Sequence, residues 1–272
     1  MADAADEPAL PFVAPCRTLA AAAPLGWIVR GWRDMWSAPR QSLTYGALVV
    51  LLSFALAAIT IRYGGYFELL ALVTGFILIA PVLAVGTYAI SLQLERGEKP
   101  SMRRCVREER RALGNLLVFA LMLMVVFLVW ARAGSAIHIF MPLEESPGWQ
   151  DYLAFFGVGS AVGAVFAGVV FSSAAFSLPF LVDRRVDTVT AVVTSVNAVL
   201  RNKFAMAVWA ACIVAAVAPG FALLAMGHDR GGGYMWIMVA LGITLPLIGH
   251  ATWHAYRETI DPGAWPVNDE SE

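Results

Sequence analysis

Apolar residues in this chain occur in long uninterrupted runs, and polar residues are concentrated between them. Six of these runs reach the about 20 residues that a helix needs to cross a bilayer. They are Leu43–Ile61, Tyr66–Leu92, Leu116–Ile139, Tyr152–Val182, Phe204–Met226 and Tyr234–Tyr256. Spanning strands would alternate in polarity, so these continuous runs predict six transmembrane helices.

The composition supports this prediction. Hydrophobic residues make up 59% of the chain and charged residues 14%, whereas soluble domains have about 45–50% and about 25%. The mean hydropathy is +0.69. This surface is too apolar for a soluble enzyme, and the net charge of −1 argues against a nucleic-acid partner. We therefore expect an all-α integral membrane protein.

The distribution of basic residues predicts the orientation. Of the 19 Lys and Arg residues, all but Arg62, Arg132 and Arg230 lie in the two terminal segments and in the second and fourth connections. Cytoplasmic connections carry the excess of Lys and Arg in membrane proteins. Both termini are therefore predicted to be cytoplasmic.

A threefold internal repeat is also predicted. A short amphipathic segment precedes each pair of runs, at Trp27–Ser37, Ser101–Leu113 and Asp187–Leu200. In the third of these, Asp187 is a predicted N-cap. The repeats cover about 26–92, 97–182 and 183–256 of one membrane domain, 25–257. We expect a disordered cytoplasmic tail over 1–24 and an acidic, disordered one over 258–272.

The second run of each pair contains a proline in its cytoplasmic part: Pro81, Pro179 and Pro246. Proline removes a helical hydrogen bond and bends the helix. The main interpretation is that these prolines only shape helix packing. The alternative is that three bends at similar depth form a vestibule that faces the cytoplasm.

His250 and His254 are four residues apart in the last run, so they share one helical face. This spacing suits a metal ion or the ligation of separate haems. The favoured interpretation is that the two histidines are anchoring or packing residues, because the pair lies near the predicted inner interface. A catalytic zinc needs a third ligand, and the sequence nominates none.

Two charges are predicted to lie inside the apolar layer near its outer surface, Arg132 and Glu68. They form either an ion pair or two separate interfacial charges that reach water. In the fourth run, Gly159, Gly163 and Gly168 belong to a small-residue ladder that predicts a central packing helix. Trp32 and Trp36 are predicted interfacial anchors.

Several segments resemble an uncharacterised family of bacterial integral membrane proteins, whose members are sometimes loosely labelled cytochrome c oxidase subunit I. They are Arg30–Trp36, Ala80–Tyr88, Leu94–Pro100, Val129–Arg132, Ser177–Pro179 with Asp183–Arg184, and Gly249–Arg257. The resemblance implies a location in the bacterial inner membrane and no particular activity. The oxidase label conflicts with the sequence, because that subunit needs about twice as many spans and several intramembrane His ligands.

No catalytic motif is recognisable, and the predicted outer connections are short. We therefore expect a non-enzymatic accessory, assembly or scaffold protein for another inner-membrane complex, such as a respiratory one, in contact with membrane lipids. The first alternative is a small-molecule or lipid transporter that uses the proline-containing spans. The second is a haem- or metal-binding membrane protein, although the primary expectation is that no cofactor binds.

Overall fold

A computed structural model describes residues 11–63, 83–140, 148–227 and 233–267 of the chain. Their regular secondary structure is helical, with two isolated bridges, which confirms the all-α prediction for this part of the chain. The helices are α1 (Ala23–Ser37), α2 (Pro39–Tyr63), α3 (helical over 83–95), α4 (Met102–Phe140), α5 (Trp149–Ala174), α6 (Ser177–Asp183), α7 (Thr188–Arg201), α8 (Lys203–Gly227) and α9 (Gly233–Thr259).

Three stretches of the described helices are long and apolar enough to cross a membrane. They are Met102–Ile137, Trp149–Asp183 and Lys203–Gly220, and each overlaps a predicted run. Few of their residues are buried inside the protein, which leaves their apolar surface open to lipid. The second predicted run, Tyr66–Leu92, lies mostly outside the described residues, so the number of six spans stays a prediction.

Helix α9 is the central helix of the fold, since it packs against α1, α2, α6 and α8. Glycine permits the closest of its contacts. A Cβ atom added to Gly31 in α1 would lie 2.6 Å from the Ala251 nitrogen, and one added to Gly249 would lie 2.1 Å from the Thr87 hydroxyl in α3. Both distances are well below van der Waals contact, so a side chain at either position would push the helices apart.

The contact between α9 and α2 coincides with Pro246. Because proline has no N–H, the Gly242 carbonyl one turn earlier loses its helical hydrogen bond. Helix α2 comes close to this carbonyl, since a Cβ atom added to Gly46 would lie only 2.1 Å from the Gly242 oxygen. A carbonyl freed in lipid needs a neighbouring helix or polar group, and Gly46 allows the α2 backbone to approach it.

Helices α4, α5, α6 and α7 form a second group. The prediction of a separate interfacial segment over Ser101–Leu113 is wrong, because α4 is continuous from Met102 to Phe140. At 1.5 Å per residue its 39 residues span about 58 Å, well beyond the about 30 Å hydrocarbon layer. The arginine-rich start of α4 is therefore a helical extension of a span.

The fourth apolar run is interrupted at residues 175–176, between α5 and α6. Pro179 cannot donate to the Ala175 carbonyl four residues earlier, which accounts for a break at this point. Ser195 of α7 bridges the break: its hydroxyl accepts from the Phe176 N–H at 3.0 Å and donates to the Ser172 carbonyl at 2.7 Å. The following helix, α6, is buried along its whole length. Of the other two predicted kinks, Pro246 lies within a continuous α9, and Pro81 lies outside the described residues.

The described parts of the two predicted tails are packed against the helices, which corrects the prediction of disorder for residues 11–24 and 258–267; the remaining tail residues lie outside the described part of the chain. The Ala14 N–H donates to the Thr194 hydroxyl at 3.1 Å, and the Leu19 N–H donates to the Asn202 side chain at 2.8 Å. Near the C-terminus, Trp265 is 3% exposed and packs edge-on against Phe180 at 5.4 Å. Composition alone missed these segments because a few buried side chains and backbone hydrogen bonds hold them.

Among the described residues, α5 does not pack centrally, and the prediction that its small-residue ladder makes it a central packing helix stays a prediction. Apart from the backbone of α5 itself, no described atom lies within 4 Å of a Cβ atom built on Gly159, Gly163 or Gly168, and no residue of α5 is buried. The ladder permits close approach but does not supply a partner, and within the described chain α4 leaves a groove beside Gly163. The close contacts form at α9 instead.

Gly46→Ala and Gly159→Ala test this assignment, because they make the same change at a tight and at an open position. We expect Gly46→Ala to destabilise the protein by about 1–3 kcal/mol through overpacking. Gly159→Ala should leave stability unchanged or raise it by up to about 1 kcal/mol, since alanine favours helix. Thermal unfolding in a mild detergent measures both. A Gly46→Ala protein as stable as the parent contradicts the close contact between α2 and α9.

Candidate functional site: a polar network beside an apolar cavity

The His250 side chain is fully buried, and both of its ring nitrogens are hydrogen-bonded. Nε2 lies 2.9 Å from the Ser42 hydroxyl of α2, and Nδ1 lies 2.8 Å from the Ser91 hydroxyl of α3. Ser91 in turn donates to Asp34 Oδ2 of α1 at 2.7 Å, and His254 Nε2 lies 2.9 Å from the same oxygen. We call Asp34, Ser42, Ser91, His250 and His254 the polar network. It connects four helices.

The direction of the hydrogen bonds in the polar network follows from the donors available. A carboxylate only accepts, so the single hydroxyl proton of Ser91 is directed to Asp34. His250 Nδ1 must then donate to Ser91, which leaves Nε2 of the neutral ring to accept from Ser42. The path therefore runs in one direction, from Ser42 through His250 and Ser91 to Asp34. This arrangement can hold the imidazole in one tautomer, or pass a proton along the path.

The two histidines do not share a site suited to a metal ion. Both nitrogens of His250 already have hydroxyl partners, and His254 Nε2 faces Asp34. Among the residues that the structure describes, no group of three or more His, Cys, Asp or Glu side chains is placed to hold a metal ion. Metal or haem ligation by His250 would require that one of its hydrogen bonds break. The structure thus places the pair in helix packing.

Sequence analysis did not find the partners of these histidines. Asp34 belongs to the polar side of the first amphipathic segment, and Ser42 and Ser91 are small polar residues at the edges of apolar runs. A usable signal is the coincidence of His250 and His254 on one helical face with isolated Ser and Asp residues at similar predicted depth. Such a pattern indicates that the polar side chains require hydrogen-bond partners from other helices, but it does not identify which residues those partners are.

A second set of polar contacts lies one turn further along α9. Arg257 lies 2.7 Å from Glu95 Oε1 and 3.3 Å from Asp183 Oδ2. Trp253 Nε1–H donates to Glu95 Oε2 at 2.9 Å, and the Tyr256 hydroxyl donates to Asp183 Oδ2 at 2.8 Å. These contacts join α3, α6 and α9. Because Arg257 and Glu95 are partly exposed, water screens their attraction, and their main effect is to fix geometry.

The first helix is attached to α9 by a similar contact. Glu258 accepts hydrogen bonds from the Trp27 indole at 3.0 Å and from the Arg30 guanidinium. Trp27 is fully buried and packs edge-on against Trp209 of α8 at 5.6 Å. The opposite side of α1 is exposed, with Trp32 and Trp36 in an edge-to-face pair at 5.7 Å. Their role as interfacial anchors stays a prediction.

The predicted ion pair of Arg132 and Glu68 is only half described. Arg132 is exposed on α4, whereas Glu68 lies outside the described residues. Whether the two charges meet therefore stays a prediction.

Next to the polar network lies an apolar cavity of about 320 Å³. Gly249 and Thr252, the neighbours of the network in α9, line it, as does Thr87 of α3. Its walls come from both helix groups: Tyr45 and Val49 of α2, Leu83, Ala84, Thr87 and Tyr88 of α3, Phe119 and Leu123 of α4, Ala174 of α5, Leu178 of α6, and Leu245, Pro246, Ile248, Gly249 and Thr252 of α9. The volume lies at the lower end of the about 300–1,000 Å³ typical of small-molecule sites.

Parts of this cavity's lining lie close in sequence to the three prolines of the predicted bends. Pro246 lines it, Leu178 precedes Pro179, and Leu83 follows Pro81 by two residues. Its lining is mainly apolar and, among the described lining residues, uncharged. The arrangement therefore suits an apolar occupant rather than an ion.

Asp187, the predicted N-cap of α7, is confirmed in the structure and lies outside the apolar helices. The pKa of its carboxyl is lowered. Asp187 accepts from the Thr190 N–H at 2.9 Å. Partial burial by itself raises the pKa of this carboxyl, but hydrogen bonds from Thr190 and Val189 outweigh it and hold the pKa below its usual value. The stabilisation by the ionised cap is therefore present above the usual Asp pKa and is lost as the pH falls through the lowered one.

Burial also determines the pKa of the Cys16 thiol. Cys16 forms an isolated antiparallel bridge with Ile260. It raises the pKa of Cys16 against the opposing effects of Asn197 and Arg201. The thiol is therefore protonated at neutral pH and is not an activated nucleophile.

Part of the chain is similar to a known protein family. Residues 69–183 match the model of a family described as "Predicted integral membrane protein (DUF2189)". This confirms the resemblance to an uncharacterised family of membrane proteins for that segment. No curated protein and no solved structure matches the chain.

The polar network predicts different effects for two adjacent residues of α1. Asp34→Ala removes the acceptor of both Ser91 and His254, so we expect a loss of about 2–4 kcal/mol in the free energy of unfolding. Arg33→Ala changes an exposed side chain and should stay within about 0.5 kcal/mol. Thermal unfolding in detergent compares the two variants. Equal losses would show that the network does not hold α1, α3 and α9 together.

Proposed function

Given that residues 69–183 match a family of predicted integral membrane proteins, we propose that this protein carries a small apolar molecule or a lipid in the membrane. The observation that carries the proposal is the cavity between α2, α3, α4, α6 and α9, which is lined mainly by apolar side chains. Among the functions expected from the sequence, this favours the transporter alternative over the scaffold. The haem or metal alternative has no support from the described histidines.

The position of the cavity supports a carrier. Both helix groups contribute walls, so a relative movement of the groups would change its shape and its access. Two of its walls contain or adjoin the prolines of α6 and α9, where a missing helical hydrogen bond makes bending easier. The polar network and the Arg257 contacts fix α1, α3, α6 and α9 around the cavity on the side with the basic residues.

Orientation and location belong to the same proposal. It places six spans in a bacterial inner membrane, with both termini cytoplasmic and three repeats, in the second of which the amphipathic segment continues directly into its span as α4. The support is the uneven distribution of Lys and Arg and the orders α1–α2 and α7–α8–α9, in which a short helix precedes longer ones. The exposed apolar side of α1, with Leu25, Val29, Trp32 and Trp36, suits contact with membrane lipids.

Photoaffinity labelling with an uncharged alkyl diazirine tests occupancy of the cavity. In the purified protein we expect labelled peptides to include Phe119, Leu123 and Leu245. Ala174→Phe, which places a large side chain at the cavity wall, should reduce this labelling severalfold. Ala164→Phe makes the same change on an exposed part of α5 outside the cavity and should leave the labelling intact.

Mass spectrometry of the digested protein locates the label. Labelling spread evenly over the exposed faces of α4, α5 and α8, and unchanged in Ala174→Phe, contradicts the proposal. Both variants are compared at the same detergent and probe concentrations, so that partition into micelles is the same for each.

A specific observation also supports a scaffold or assembly function for another inner-membrane complex, such as a respiratory one. The open ladder on α5 at Gly159 and Gly163 has no close neighbour among the described residues. Small residues at this spacing let a second membrane helix pack closely. In this proposal the ladder contacts a helix of a partner complex.

Affinity purification in mild detergent at native expression tests the scaffold function. Gly163→Leu should abolish stoichiometric recovery of a partner, because the added side chain separates the helices. Val165→Leu, on a different and 66% exposed part of α5, should retain the partner. Recovery of the unsubstituted protein alone would overturn this second candidate.

A further inference from the structure

Four side chains with hydroxyl groups line the cavity, and three of them already donate their proton. Thr87 donates to the Ala84 carbonyl and Thr252 to the Ile248 carbonyl, both at 2.7 Å. Tyr45 donates to Glu109 Oε1 at 2.6 Å. None of these three hydroxyls has a proton left for a molecule in the cavity.

The fourth hydroxyl belongs to Tyr88 of α3. The side chain lines the same cavity, and the residue is only 5% exposed. No hydrogen bond joins its hydroxyl to any residue that the structure describes, and no fully enclosed side-chain nitrogen or oxygen there lacks a partner, so this hydroxyl is open to the space beside it. Tyrosine hydroxyl groups in apolar surroundings normally have a partner, so this one marks a point at which an occupant can accept a hydrogen bond.

The rest of the lining restricts the chemistry of the occupant. No described lining residue carries a charge, and a charged group in such surroundings would lose its hydration without compensation. Phe119, Leu123 and Leu245 supply apolar surface for an alkyl chain or a ring. A hydrocarbon alone would leave the Tyr88 proton unpaired.

We propose that the cavity binds an uncharged amphiphile whose carbonyl or ester oxygen accepts a hydrogen bond from Tyr88, with its apolar part against α4 and α9. This inference rests on the proposed carrier function and specifies its ligand. Tyr88 is the residue that discriminates between an oxygen-bearing ligand and a plain hydrocarbon. The oxygen belongs either to a free ketone-like molecule or to the ester of a neutral lipid.

Binding of two matched ligands, undecan-2-one and undecane, tests the role of Tyr88. Both are measured with the full chain in detergent by displacement of the alkyl diazirine label from the cavity peptides. In Tyr88→Phe we expect the ketone to bind about fivefold more weakly, as for the loss of one hydrogen bond. Undecane should bind equally well to both proteins. The ratio of the two affinities cancels differences in micelle partition and in protein stability.

A matched control makes the same chemical change outside the cavity. Tyr152→Phe also removes a phenol hydroxyl, but one on an exposed part of α5 that does not line the cavity. Its ratio of ketone to undecane affinity should equal that of the parent. A third ligand, dioctanoylglycerol, carries the carbonyl in a lipid ester. Tighter binding of dioctanoylglycerol than of undecan-2-one supports a lipid ligand, and tighter binding of undecan-2-one supports a free molecule. In either case Tyr88→Phe must weaken the binding of the ligand that binds more tightly.

Two results overturn the inference in distinguishable ways. If the ketone and undecane both bind, and their affinity ratio is the same in the parent and in Tyr88→Phe, the ligand assignment is wrong while the cavity still functions as a binding site. If neither ligand nor the diazirine reaches the cavity, the carrier function itself is wrong, and the ligand assignment is wrong with it.

Discussion

A polar group in the interior of a membrane has no water to bond with, and the arrangement of this protein depends on that constraint. Several polar groups of the described residues have partners from another helix. Ser195 bonds to both sides of the break near Pro179, and both nitrogens of His250 meet serine hydroxyls. Unsatisfied groups of this kind destabilise a structure far more than a satisfied one stabilises it. The helices are therefore held in the positions at which these bonds form, and the unpartnered Tyr88 hydroxyl is conspicuous for the same reason.

Close approach of helix backbones makes those bonds possible. Helix α9 contacts α1 at Gly31 and α2 at Gly46, and it contacts α3 through its own Gly249. In lipid, where apolar burial between helices provides little driving force, packing of this kind and interhelical hydrogen bonds determine association. His250 and His254 lie on the same helix, so α9 contributes both close packing and polar contacts. The α5 ladder has the same residue types and no such neighbours among the described residues, so small residues there permit packing without causing it.

The cavity and the polar network share their supporting helices. Gly249 lines the cavity, and the next residue, His250, belongs to the network. The network and the Arg257 contacts fix one end of α1, α3 and α9, while Pro246 lies in the cavity wall and Pro179 follows the lining residue Leu178. This combination of a fixed end and bendable segments is the physical basis of the proposed carrier, because it allows the cavity to change shape while the helices stay associated.

The sequence by itself determined that the chain is helical and apolar, and it located the N-cap at Asp187 and the break near Pro179. These features depend on residues close together along the chain, where hydropathy, proline and capping residues act directly. Only the tertiary structure decided which glycines form close contacts, that the described parts of both tails are packed, and that Asp34, Ser42 and Ser91 are the partners of His250 and His254. Those outcomes depend on which distant segments meet, and a periodic pattern identifies a face that needs a partner without identifying the partner.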